Sequence, residues 1–280
     1  MEFLTALSDQ SFLRYALIAG LLASIGCGVV GTYVVVRNIG YLAGGIAHAV
    51  LGGMGIAYFL GHPPLGGAII TALLAALLVG WVSLRWKQTE DSLIGALWAV
   101  GMAVGIIFIS RTPGYNADLM SYLFGNILLV SGSDLLLMAV LDFVILLCVV
   151  LFYKQFQAVT FDEEFARLRG VHAEIYYLLL LCLVALTVVL LIRVVGLILV
   201  IALLTLPAAI ARQYSGTLFK IMCLSIIIGS ILTISGLAIS YEKDLPSGAT
   251  IILVAGAVFF LSTVITKTWK EMAAKRLRDR

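Results

Sequence analysis

Long apolar runs broken by short polar turns follow one another along almost the whole chain. A helix needs about 20 apolar residues to cross the hydrocarbon and satisfies its own backbone there, so each long uncharged run predicts a spanning helix. The runs lie near 12–36, 43–60, 67–84, 93–110, 134–152, 175–192, 194–211, 220–240 and 248–266, about nine crossings. Segment 117–130 is amphiphilic and too short for a full crossing, which predicts a helix resting in or dipping into the outer interface. No Pro/Ser-rich linker and no internal repeat interrupts the pattern. The expected fold is therefore an all-α polytopic bundle forming a single domain, 1–280. Its longest polar stretches are 153–174 and the tail 267–280.

Composition agrees with lipid as the main solvent: 62% of the 280 residues are hydrophobic and 12% charged, with a mean hydropathy of +1.12, far from the soluble range. Arg14 lies close to the start of the first run, but neither a small-residue cleavage site nor a fresh domain follows it. That run is expected to stay in the membrane.

Lysine and arginine are retained on the cytoplasmic side, so their distribution predicts orientation. With the amino terminus outside and the carboxyl terminus inside, most of the 18 basic residues face inward, leaving only Arg14, Arg111, Arg193 and Lys243 outside. The basic tail then reads as an anchor near anionic membrane lipid, with no nucleic-acid role. Cys27, Cys148, Cys182 and Cys223 each lie in an apolar run without a C-x-x-C spacing, as expected of small buried hydrophobes.

Several chemistries are missing. No G-x-x-x-x-G-K-[ST] loop is present, so the chain cannot itself supply nucleotide hydrolysis through that loop. The paired histidines of a membrane metalloprotease and the paired mid-depth aspartates of an aspartyl protease are absent too. Asp142 alone lies deep in a span. A hydrogen bond to a neighbouring helix is the expected way to neutralise it.

Residues 162–171, DEEFARLRGV, form a charged island between hydrophobic segments. Its acids come first, Arg167 and Arg169 come late, and Gly170 is a plausible stop, which matches the dipole of a short helix. Such an island on the cytoplasmic side of a membrane protein is a docking point for a soluble partner.

Taken with IGYLAGGIAHAVLGG (39–53), SYLFGNILLVSGSDL (121–135), VGLILVIALLTLPAAIARQ (195–213) and DLPSGA (244–249), this island resembles the membrane permease of the ATP-binding-cassette importers for zinc, manganese and iron. The likeness to that zinc and manganese permease family runs essentially end to end. It implies a type II importer permease in a bacterial or archaeal cytoplasmic (inner) membrane, built as a homodimer of this chain with a pore on its two-fold axis. It also implies two copies of a separate cytoplasmic ATP-binding subunit and an extracytoplasmic metal-binding protein. No cofactor is held permanently, and the cargo is a divalent ion, zinc foremost, with manganese or iron as alternatives.

The resemblance gives individual residues roles. His48, in the second span, is the transient metal ligand in the ion path, since imidazole is a natural intramembrane ligand. The family's commoner pattern has an aspartate four positions earlier, where this chain has Gly44. A further ligand would come from the symmetry-related His48 or from Asp118. Gly44 and Gly45 let helices approach closely or keep the helix pliable for gating. Pro207 removes a backbone donor inside the seventh span, predicting a kink or broken ladder beside the path. Segment 160–172 corresponds to the coupling helix that fits a groove on the ATPase, with Phe165, Ala166, Leu168 and Gly170 at its small and apolar contact positions and Arg167 helping to set register.

Three rivals remain: a secondary transporter, which needs midplane charges and often a repeated half; a permease for a metal chelate such as a siderophore; and a non-transporting anchor or receptor.

Overall fold

The computed structural model describes residues 6–7, 9–85, 90–112, 125–197 and 200–278. Among these, the regular elements are helices: α1 (Ser11–Arg37), α2 (Gly40–Phe59), α3 (Pro64–Arg85), α4 (Glu90–Ser110), α5 (Gly132–Leu151), α6 (Tyr153–Phe161), α7 (Glu163–Leu168), α8 (Ala173–Val195), α9 (Val200–Tyr214), α10 (Leu218–Lys243) and α11 (Ser247–Arg278). Eight are long and apolar enough to cross a membrane.

The seventh expected span is shorter. Its apolar run continues across Gly196, but that residue adopts φ 73° and ends α8, leaving α9 with 15 residues. That is roughly 22 Å at 1.5 Å per residue, short of a hydrocarbon core about 30 Å thick. The helix continues through Pro207, so the interruption falls at the glycine and not at the proline. Of the expected interfacial helix 117–130, residues 117–124 lie outside the described residues, and 127–129 form a single 3₁₀ turn.

Successive long helices run in opposite directions. Arg212, at the end of α9, donates to the Val35 carbonyl at the end of α1 (2.8 Å), and Tyr241, at the end of α10, donates to Gln10 at the start of α1 (3.4 Å). One end of the bundle therefore gathers Arg37, Arg85, α6, α7 and Arg212. The other carries the α2–α3 turn with His62.

Helices α1 and α2 are the most enclosed. In lipid no hydrophobic force draws one helix to another, so close backbone packing has to hold the bundle. At Gly31 the absent side chain lets the Leu204 carbonyl of α9 approach the α1 backbone directly. Between α2 and α4, a Cβ at Gly55 would lie 2.6 Å from the Gly105 carbonyl oxygen, and one at Gly105 would lie 2.5 Å from the Leu51 carbonyl oxygen. Real Cβ atoms do not sit that close, so these contacts require glycine.

A buried carboxyl group interrupts this packing. Asp142 of α5 is buried, and neither of its oxygens finds a partner among the described residues. Its Oδ1 points at Gly26 of α1, where a Cβ would lie 2.8 Å away. Thr187, which could have donated from α8, turns instead to the Leu183 carbonyl (2.8 Å). The expected interhelical hydrogen bond is not made. An unsatisfied buried group costs about 1–3 kcal/mol, so Asp142→Leu should raise the thermal unfolding midpoint of the purified chain in detergent. A midpoint that falls would show that the carboxyl group contributes a favourable interaction.

Candidate functional site

Two regions hold the residues singled out by sequence. The first is the middle of α2. His48 is 6% exposed, and its Nδ1 lies 2.9 Å from the Gly44 carbonyl oxygen one turn earlier. A carbonyl only accepts, so Nδ1 must carry the proton in this bond, and Nε2 of the neutral ring keeps its lone pair. The ring stacks on Trp98 of α4 with centroids 3.8 Å apart and planes 20° from parallel. One face of the imidazole is thus covered by an indole, a surface that also favours a cation.

Gly44 and Gly45 are both hemmed in. A Cβ at Gly44 would lie 2.8 Å from Ile201 Cδ1 of α9 and 3.6 Å from Trp98. One at Gly45 would lie 2.5 Å from Ile94 Cγ2 of α4. An acid at position 44 would have to displace Ile201 and would compete with His48 for space beside Trp98. Pro207 lies away from this cluster, with its Cβ 3.7 Å from a Cβ built at Gly229. Asp118 lies outside the described residues. Among the described residues, no group of three or more His, Cys, Asp or Glu side chains could hold a metal ion. Among the described residues, one copy of the chain therefore offers an imidazole nitrogen and no cage around it. Sequence reasoning missed Trp98, one of several aromatics in apolar runs, because nothing in the run marks which one faces the histidine.

The second region is α7. Asp162 caps it, accepting from the Phe165 amide (2.9 Å). At its far end the Gly170 amide donates to Arg167 (3.0 Å) and the Val171 amide to Ala166 (3.0 Å), the paired bonds that close a helix on a left-handed glycine. Gly170 supplies this conformation with φ 77°. The expected contact residues face different ways. Ala166 is buried against its own chain, whereas Phe165 is half exposed and Leu168 is 87% exposed. Arg169 stacks over the Phe165 ring at 4.8 Å. Arg167 pairs with Glu163 (2.9 Å) and with Glu174 of α8 (3.5 Å). The segment thus presents Leu168, Phe165 and the stacked Arg169 outward on a base pinned by Ala166.

Over residues 9–266 the sequence matches the family described as the ABC 3 transport family. A Chlamydia pneumoniae protein named a probable metal transport system membrane protein is 42% identical over 90% of this chain and 88% of its own length. The manganese transport system membrane protein MntC of Halalkalibacterium halodurans is 36% identical over 98% and 97%. A chain of the solved PsaBC from Streptococcus pneumoniae in complex with Fab superposes with a TM-score of 0.85 at 34% identity, covering 93% of this chain and 94% of that one. These bear out the resemblance read from the sequence and the type II importer fold it implied: the chain belongs to the ABC 3 transport family.

Proposed function

We propose that this chain is the membrane permease subunit of an ATP-binding-cassette importer that carries manganese inward across a bacterial cytoplasmic membrane. Sequence alone placed zinc first. Manganese replaces it because relatives named as manganese transport system membrane proteins match at nearly full coverage, and this observation carries the reading. The ion passes as cargo: a single imidazole held against Trp98 suits a weak, transient contact, and an ion caged as in a structural site would not leave. Two copies of the chain would set two His48 rings near a shared axis. ATP hydrolysis belongs to a separate subunit bound at α7, and a metal-binding protein delivers the ion at the opposite end of the bundle.

The uptake test uses the assembled transporter in cells, with manganese, zinc and iron in competition. Manganese uptake should withstand equimolar zinc and iron, and His48→Ala should lower it by about tenfold or more while leaving the complex at its normal size in detergent. Zinc outcompeting manganese would overturn the cargo, and wild-type uptake by the alanine variant would make His48 a packing residue.

Orientation follows from the basic residues gathered at the α7 end of the bundle, which should be cytoplasmic. In a variant lacking the native cysteines, His62→Cys should react with an impermeant thiol reagent in intact cells and Gln157→Cys should not. The reverse labelling would invert the chain.

Docking at α7 is tested at Leu168, because Gly170 is committed to its backbone conformation and any replacement there would distort the turn. A carboxylate buried in an apolar contact without a partner is costly, so Leu168→Glu should cut co-purification of the ATPase at least about tenfold. Undiminished co-purification would place the docking surface elsewhere.

A further inference from the structure

Arg37 is the last residue of α1, yet its side chain reaches across to a different part of the chain. It donates to the Val159 carbonyl (2.5 Å) and to Glu163 Oε2 (3.0 Å), and its guanidinium lies 4.3 Å over the ring of Tyr177 on α8. Val159 is in the last turn of α6, whose closing carbonyls lack helical partners and carry partial negative charge. Glu163 opens α7. A single planar cation with several fixed donors therefore fills the junction between these two helices, and its side chain is only 15% exposed. The other Glu163 oxygen is held by Arg167 (2.9 Å), which also reaches Glu174 (3.5 Å).

The same end of α1 is joined to α9. Arg212 donates to the Val35 carbonyl, and Leu204 rests its carbonyl on Gly31. One turn before Leu204 on α9 is Ile201, whose tip packs where a Gly44 side chain would be. Gly44 in turn accepts the hydrogen bond from His48. A continuous series of contacts thus leads from α7, through the Arg37 and Glu163 pair, along the end of α1 to α9, and from α9 to the helix bearing His48.

We propose that Arg37 and Glu163 are a coupling joint: the ion pair through which displacement of α7 by the ATPase is passed to α1 and α9, and so to the walls around His48. Arg37 is a positioning residue in this scheme and touches neither the ion nor the nucleotide. The inference rests on the reading of α7 as the docking segment. A simple staple would hold α7 in place, and its loss would cost assembly. A joint is lost without loss of assembly, and uptake then separates from hydrolysis. Spatial continuity alone does not establish coupling, so the test measures the coupling itself.

The experiment uses the complete transporter in proteoliposomes with its ATPase and delivery protein, comparing Arg37→Gln, Glu163→Gln and the double variant. The readout is manganese taken up per ATP hydrolysed, with ATPase content and particle size measured alongside. Each single variant should lower the ratio by about tenfold with the ATPase retained, and the double variant should be no worse than either single one. Arg37→Lys, which keeps the charge without the fork, should recover part of the loss. Should Arg37→Gln fail to assemble, Glu163→Gln decides, because it leaves the Val159 bond and the Asp162 cap in place.

A ratio within about twofold of wild type in Glu163→Gln, multiplying losses in the double variant, or release of the ATPase by Glu163→Gln would each overturn the joint. Failure of the docking reading is separately visible, since Leu168→Glu would then retain the ATPase. In that case the joint falls with it.

Discussion

The rest of the structure depends on backbone meeting backbone where lipid supplies no drive for helices to associate. Leu204 against Gly31 and Gly105 against Leu51 are contacts that a single methyl group would open. They gain dispersion from both surfaces and fix helix positions to a fraction of an ångström. By this means α1 takes α9 and α10, and α2 takes α3 and α4, so two closely meshed groups form. Between them lies Ile201 against Gly44, a contact made by the flexible tip of a side chain. Rigid meshing within each group and a softer contact between them would suit the proposed transport, in which helices move past one another without unfolding.

Much of this was legible because the bilayer imposes so coarse a rule. Eight of the nine runs became spanning helices, since a 20-residue uncharged stretch has few alternatives in hydrocarbon. The α7 helix was equally legible: its leading acids, late arginines and Gly170 as stop follow from the helix dipole and local hydrogen bonding, and the structure adds Asp162 as the cap. The miss at α9 has the same origin as the successes. Hydropathy averages over the break at Gly196, because the residues on both sides are apolar, and a conformational constraint at one residue leaves no trace in such an average. Pro207 drew attention as the stronger helix breaker, yet a proline costs little where its missing donor and ring are accommodated by neighbours.

The site was legible in a weaker sense. An ionisable residue inside an apolar run marks itself, and both His48 and Asp142 did so. What surrounds each could not be read, because partners in a helical bundle come from helices far away in sequence. Trp98 covers His48 across an interval of fifty residues, and Glu163 meets Arg37 across 126. Asp142 was expected to find a donor in the same way and finds none among the described residues, where Thr187 satisfies itself within its own helix.

The resemblance also mixed two kinds of residue in the proposed docking segment. It implied Phe165, Ala166, Leu168 and Gly170 as contact positions, but a six-residue helix has only one outward face. Ala166 spends its contact area on the chain's own core, which leaves Leu168 and Phe165 for a partner. The buried residue still matters to any partner. Ala166 is seated, Gly170 closes the turn and Arg37 fills the junction with α6, so under the proposed docking a push on Leu168 would be delivered to a braced body. A flexible loop bearing the same two apolar side chains would have no such base, and in this reading the short helix and its pinned side are what would turn a binding surface into a lever.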